Sequence, residues 1–139
     1  MQHTTYSKGI VMTPIMNNAI AVADLADTSV ETLVAGARSI AFQLTGTTIT
    51  TRSAILTVTV SLDNGTTYQA YSMLVSNSAN SNAQDLTRVA SITRAATGTD
   101  IFWMTPETLG AITHIKTTLA ITDTGSPVGT FTVKAAICY

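Results

Sequence analysis

Side chains that perform acid–base, nucleophilic or metal chemistry are few in this chain and stand far apart. The two histidines are His3 and His114, and the one cysteine is Cys138. No Cys-x-x-Cys or His-x-x-x-His spacing joins them, so the usual pattern of a transition-metal site is missing. The eight acidic residues are dispersed, whereas a calcium loop needs several carboxylates close together. We therefore expect no metal and no cofactor.

Nucleophilic catalysis has no local support in the sequence either. Neither a Gly-x-Ser-x-Gly nucleophile elbow nor a phosphate-binding loop is present. A serine–histidine–aspartate triad is a spatial arrangement, which one sequence neither supports nor excludes. We interpret Cys138 as a half-buried thiol at the end of a strand. The prediction is that this protein is not an enzyme.

The aromatic side chains offer a different kind of site. Trp103, Tyr68 and Tyr71 would form a platform for sugars if they were exposed together, because flat rings cover the apolar faces of sugars. Phe102 and Trp103 are adjacent and point to opposite faces of a strand, so at least one of them belongs in the core. Glycan binding through Trp103, Tyr68 and Tyr71 is the alternative function that we carry forward.

Charge argues against two classes of partner. Seven basic and eight acidic residues give a net charge of −1. The basic residues are scattered along the sequence, so we expect no nucleic-acid binding, which needs clustered Lys and Arg. No run of about 18 apolar residues is present, so we expect no membrane span, and the N terminus lacks the pattern of a signal peptide. With only 11% charged residues, burial of surface in a homo-oligomer would be one way to remain soluble.

Composition already predicts the fold class. The chain has 139 residues, of which 45% are hydrophobic, and this length fits one domain. Threonine and serine, 27 and 11 residues, must supply most of the polar surface. Threonine is β-branched and suits a pleated, half-buried strand. The composition therefore indicates an all-β protein.

Alternation of apolar and polar residues places the strands. Period 2 runs through residues 39–44, 54–62, 112–122 and 130–139, which is typical of half-buried antiparallel strands. Residues 45–48 and 123–127 are predicted turns. Asn64-Gly65 is the strongest hairpin signal, with residues 67–75 as the return strand. About eight strands predict a single antiparallel β-sandwich, jelly-roll-like.

The first 16 residues are predicted to form an extended N-terminal arm, followed by the β-sandwich domain over residues 17–139. Pro14 interrupts an apolar stretch and disfavours a central strand. Two alternatives remain for residues 10–16: a clamp on a partner protein, or the first strand of the domain's own sheet. In the first case the protein interface consists of these residues: Ile10, Val11, Met12, Ile15 and Met16.

Two segments resemble small β-sandwich proteins of tailed-phage virions, of the head decoration or cement type. Residues 34–71 resemble them in an Arg-Ser-Ile strand start, a Thr-Gly-Thr turn and the sequence SLDNGTTY at 61–68. Residues 112–137 are similar to the closing hairpin of such domains, with its GTFTV strand. The last motif residue is often Trp in these proteins and is Tyr68 here. Similar hairpins also occur in secreted glycan-binding sandwiches.

The resemblance implies a non-enzymatic virion protein, assembled in the host cytoplasm. The expected role is capsid decoration, in which protein–protein contacts stabilise the shell. The implied partners are the major capsid protein or other virion proteins, together with further copies of this chain, for which a trimer is the leading expectation. A tail, neck or coat component is the related alternative. The resemblance carries over no functional residue.

Overall fold

A computed structural model describes residues 10–19, 28–76, 86–104 and 109–139. Side chains are described for residues 29–75, 86–104 and 109–139. These residues are almost entirely β-structure, which confirms the predicted all-β class. The strands are β1 (Ile10–Ala19), β2 (Thr28–Leu33), β3 (Ser39–Ser61), β4 (Gln69–Tyr71), β5 (Met73–Ser76), β6 (Leu86–Val89), β7 (Ile92–Arg94), β8 (Gly98–Trp103) and β9 (His114–Cys138).

Two very long strands form the centre of the sheet. β3 and β9 pair antiparallel from Ser39 opposite Cys138 to Ser61 opposite His114. The outer edge of β9 carries β1 and β2, and the outer edge of β3 carries β8, β7 and β4. β5 then pairs with β8, and β6 with β5. All described strand pairs are antiparallel, and together they form one curled sheet.

The predicted turns at residues 45–48 and 123–127 are wrong, because the chain does not reverse at either of them. Both segments lie within the long strands, and the β3–β9 register shifts between Thr47 and Thr50 and again between Thr50 and Arg52. Thr48, Thr51, Gly125 and Gly129 have positive φ there. Extra residues of this kind make bulges that bend a ladder. We call residues 47–52 and 123–129 the bend.

The bend divides the sheet into two halves that share one core. The Trp103 half contains residues 39–47 of β3 and 130–138 of β9, and the hairpin half contains residues 52–61 and 114–123. Alternate residues of both halves belong to one buried cluster, as the sequence alternation predicts. Phe42 and Phe102 stack in it, with ring centroids 5.1 Å apart and planes at 8°. A sheet buried on one face and curled in this way encloses its own core.

The hairpin at Asn64-Gly65 is confirmed, with a longer loop than a two-residue turn. Asn64 and Gly65 have φ of 58° and 79°. Val60 pairs with Gln69, so residues 61–68 form the connection, which we call the hairpin loop. The predicted return strand is broken at Ser72: β4 pairs with β3, whereas β5 leaves it to pair with β8.

The N-terminal stretch lies in the chain's own sheet. β1 spans the expected boundary at residue 16 and pairs with β9 from Ile10 opposite Cys138 to Ala19 opposite Thr130. Of the two alternatives, the structure therefore shows the strand. Contacts of this strand with other proteins stay a prediction, and so does the jelly-roll arrangement, because the strand order is that of a single curled sheet.

Candidate functional site

The hairpin loop is held together by the polar residues of its own motif. The Ser61 hydroxyl donates to Asp63 Oδ1 at 2.7 Å and accepts from the Gly65 amide at 2.9 Å. Asp63 Oδ1 also accepts from the Thr67 amide at 2.8 Å, and Oδ2 accepts from the Thr67 hydroxyl at 2.6 Å. From the neighbouring β9 end, the Thr113 hydroxyl accepts from the Asn64 amide at 3.1 Å. The residues spaced as Ser-x-Asp-x-Gly-x-Thr thus form the hydrogen bonds that hold this loop in its conformation.

Electrostatics of the loop follow from these bonds. The Thr67 hydroxyl and amide, with the Ser61 hydroxyl, hold the pKa of Asp63 well below its usual range, because hydrogen bonds to a carboxylate favour its charged form. Both carboxylate oxygens are occupied by neighbours within the loop. Asp63 is therefore a structural acceptor, and the motif presents no free carboxylate for a ligand.

Tyr68, one of the predicted glycan contacts, lies in a cluster beside the loop. The Lys116 ammonium sits 4.2 Å from the centroid of the Tyr68 ring, a cation–π contact that covers one ring face. Burial and the neighbouring Glu31 carboxylate raise the pKa of Tyr68 to about 12. Glu31 and Lys116 are paired across β2 and β9. The ring is thereby committed to contacts within the chain.

The other two predicted glycan residues line separate grooves. Tyr71 lines an open groove of about 520 Å³ beside the hairpin loop, with the exposed Leu62 and the buried Ile112. Trp103 lines another of about 570 Å³ along the edge of β8, with Ile101 and Asp100. The two grooves share no lining residue. The structure therefore does not bring Trp103, Tyr68 and Tyr71 into one platform.

Phe102 and Trp103 divide as their adjacency predicts. Phe102 is fully buried against Phe42, whereas Trp103 is half-buried on the opposite side of β8. Trp103 pairs with Ala41 of β3 on one side and Leu74 of β5 on the other. Trp103 therefore lies on the outer face of the sheet, between a small neighbour on β3 and a larger one on β5.

A salt bridge borders the Trp103 groove. The Arg94 guanidinium contacts Asp100 through both Nε and Nη2, the second at 2.9 Å to Oδ1, and Arg94 Nη1 donates to the Ala96 carbonyl at 3.2 Å. The Asp100 carboxylate raises the pKa of Arg94 further above its usual range. The pair clamps the connection from β7 to β8, and its two side chains are partly exposed.

Sequence reasoning missed a buried ion pair inside the bend. Arg52 Nη2 donates to Asp123 Oδ2 at 2.8 Å, and Nε lies 2.6 Å from Oδ1 without hydrogen-bond alignment. Arg52 Nη1 also donates to the Gly129 carbonyl at 3.3 Å. The side chains are 0% and 6% exposed. Asp123 begins one predicted turn, and Arg52 follows the other predicted turn closely, but only the β3–β9 register shows that they meet.

The predicted interface residues all lie in β1. Ile10 and Met12 are in register with Cys138 and Ala136, which are half-buried, whereas Val11 is in register with the buried Ile137. Met16 is in register with the buried Val133. Ile15 falls in the register shift between Pro14 and Met16 and has no partner opposite it. Their side chains lie outside the described part of the structure.

Within the described ranges, no three His, Cys, Asp or Glu side chains come together in a group that could hold a metal ion. No helix among the described residues is both long and apolar enough to cross a lipid bilayer.

Comparison with known proteins gives one informative match. No family model matches the sequence, and no curated protein matches it. The crystal structure of the SPBc2 prophage-derived protein YomS superimposes with a TM-score of 0.59 and 15% sequence identity, over 94% of this chain and 93% of that chain. At this identity the match establishes a shared fold. The fold is thus one that a prophage-derived protein also uses, over most of both chains.

Proposed function

We propose that this protein is a non-enzymatic structural component of a bacteriophage particle, and that its role is head decoration or cementing of the shell. The observation that carries the proposal is the likeness to a prophage-derived protein over 94% of the chain. The resemblance of the SLDNGTTY and GTFTV segments to virion sandwiches supports it independently, because that resemblance rests on local sequence.

The chemistry of the described residues supports a structural role. Three carboxylates of the described residues have their hydrogen-bond partners within the chain. Asp63 is bound within its loop, Asp100 by Arg94, and Asp123 by Arg52. Each of these carboxylates has its partners within the fold, as expected of groups that hold a loop or a strand connection in place. An antiparallel sheet with a threonine-rich outer surface instead provides area for contacts with other proteins.

The partners in this proposal are the major capsid protein or other virion proteins, and further copies of this chain in a trimer. The site of action is the virion, after assembly in the host cytoplasm. β1 is one contact element, since it ends the order of paired strands at one side of the sheet, and strand edges add partner strands readily.

The direct test is quantitative mass spectrometry of purified particles of the virus that encodes this chain. The proposal expects the protein in gradient-purified particles, at a copy number comparable to that of the major capsid protein. Presence in lysates but absence from particles would overturn it. A low copy number, of one ring or fewer, would favour a neck or tail component instead.

Solution mass is the test of the oligomer. We expect light scattering after gel filtration to give three times the monomer mass of 14.6 kDa. A monomer that joins a stable assembly only when shell particles are added keeps the decoration role and removes the trimer. A monomer that ignores shell particles contradicts both.

One observation keeps glycan binding as a second candidate: the half-buried Trp103 beside an open groove of about 570 Å³. A glycan array separates the two functions. Saturable binding to defined sugars that is lost in Trp103→Ala would favour a glycan module, whereas the structural role expects no sugar binding in either variant.

A further inference from the structure

The outer face of the Trp103 half carries an apolar row that the sequence does not reveal. Trp103 is paired with Ala41 and Leu74, Ala41 with Ala136, and Leu74 with Arg88. Residues paired directly across antiparallel strands point to the same side of the sheet, about 5 Å apart. Since Phe102 next to Trp103 points into the core, this row faces outward. Four of its five residues are apolar.

The next row along the strands begins with Ile101, whose side chain is 52% exposed. Ile101 is paired with Gln43, and Gln43 with Lys134. The two rows together form what we call the Trp103 face. Ala41 and Gln43 lie in its middle, and the other members are Leu74, Arg88, Ile101, Trp103, Lys134 and Ala136. The groove along β8 opens beside Ile101 and Trp103 and adds a recess to an otherwise flat surface.

Charge on this face is of one sign. Arg88 and Lys134 are exposed and lie about 10 Å from Trp103 and Ile101 respectively, two strand spacings away. Within the described part of the chain neither makes an ion pair. Asp100, the carboxylate at the border of the face, is neutralised by Arg94. The face is therefore apolar in the middle and positive at two sides.

We propose that the Trp103 face docks onto an acidic surface of another virion protein. Trp103 and Ile101 pack against apolar side chains of that partner, and Arg88 and Lys134 pair with its carboxylates. Trp and Arg at the centre and border of a flat apolar patch are typical of residues that dominate binding energy. Complementary charge guides the encounter. This inference rests on the proposed function and names the surface and the chemistry of its partner.

Rebinding to shell particles tests the inference. Particles are purified from a virus deleted for this chain, and the purified chain is added back and co-sedimented with them. Trp103→Ala should weaken rebinding by at least about tenfold. Lys134→Glu should also weaken it, and the loss should be larger at about 0.05 M than at about 0.5 M salt, because screening weakens charge pairing.

The charge control is Lys116→Glu in the hairpin half, which changes the net charge as Lys134→Glu does and in addition removes the contact with the Tyr68 ring. The inference expects nearly unchanged rebinding for this variant. Circular dichroism and urea unfolding establish that each variant is folded. If the wild-type chain rebinds and Trp103→Ala and Lys134→Glu rebind equally well, the Trp103 face is not the docking surface, while the proposed function stands. If the chain is absent from particles, the proposed function itself fails.

Trp103 also reports on rival ligands, because it is the single tryptophan of the chain. Its fluorescence is followed while heparin or a thymidine oligonucleotide is added, neither of which fluoresces in that range. The inference expects no saturable change near physiological salt. Tight, saturable quenching by either polyanion would overturn the protein partner in favour of an anionic glycan or a nucleic acid.

Discussion

The bend and the hairpin loop begin from similar sequence and end in opposite structures. Each combines threonine, glycine and a carboxylate, and each contains at least one non-glycine residue with positive φ. In the hairpin loop the carboxylate of Asp63 binds residues only four positions away, and the chain reverses. In the bend the carboxylate of Asp123 binds Arg52, 71 positions away, and the chain runs on.

The two segments differ in how far along the sequence their hydrogen-bond partners lie. The hairpin loop satisfies its groups locally, so its short sequence is enough to specify the turn. In the bend, residues 47–52 of β3 lie opposite residues 123–130 of β9, and each of these segments contains residues of a predicted turn. The two segments differ in length between their paired residues, and the extra residues form bulges. The β3–β9 ladder therefore curves but continues past the bend. Turn signals therefore define a reversal only when their bonds are local.

The largest loss of stability is expected when the buried guanidinium of Arg52 is removed. Arg52→Ala leaves Asp123 charged, buried and unpaired, and we expect a loss of about 3–5 kcal/mol in the free energy of unfolding. Arg94→Ala removes the partly exposed pair with Asp100 and should cost less than about 1 kcal/mol. Urea unfolding measures both. Equal losses in the two variants would show that the bend does not depend on its ion pair.

The second-largest loss of stability is expected from a substitution of Gly129 in the bend. Gly129 has φ of 105°, and a Cβ there would lie 2.5 Å from the Thr48 carbonyl oxygen and 2.6 Å from that of Thr47. Gly129→Ala should therefore destabilise by about 2 kcal/mol or more. Gly110→Ala is the control, since nothing lies within 4 Å of its Cβ position, and should change stability by less than about 0.5 kcal/mol. Thermal unfolding measures both variants. Equal melting temperatures for Gly129→Ala and Gly110→Ala would contradict the bulge at Gly129.

Gly65→Val probes the hairpin loop in the same way and should cost more than about 1 kcal/mol, because a β-branched residue resists positive φ. Its Cβ would lie 2.8 Å from Glu31 Oε1, the far end of a flexible side chain. That end can move, so the loss should be smaller than at Gly129. If Gly65→Val melted at the same temperature as the wild type, a turn with positive φ at this position would be contradicted.

The smallest effect is expected from pH. The pKa of Asp63 is lowered in the folded protein from an ordinary value of 3.8, so its stabilisation is complete above about pH 5 and is lost as pH falls through the folded pKa. Asp63→Asn should unfold more easily than the wild type at neutral pH, with the two urea midpoints converging in acid. Thr67→Val, which removes the principal cause of the shift, should fall between them. Parallel midpoints at all pH values would exclude this role for Asp63.

Local pattern predicted much of the fold and part of the candidate site. Alternation around Leu56 and Leu119 gave the strands and their buried faces, and Asn64-Gly65 gave the hairpin, because each signal lies within a few residues. The bend could not be predicted, since Thr48 and Gly125 form bulges only in the β3–β9 register. The Trp103 face is non-local for the same reason: Arg88, Trp103 and Lys134 come from three strands that sequence alone does not order.

The order of strands along the chain has a consequence for how the protein folds during synthesis. β9 lies between β3 and the pair β1 and β2, yet it follows every other strand in the sequence. While residues 114–138 are still missing, β1 and β2 have no described partner, and β3 exposes the edge that β9 will cover. Such non-local pairing folds slowly and leaves open edges prone to aggregation. The early chain therefore relies on the pairing of β3 with β4, β7 and β8. It also relies on the hairpin loop, whose hydrogen bonds within residues 61–67 need no later residue.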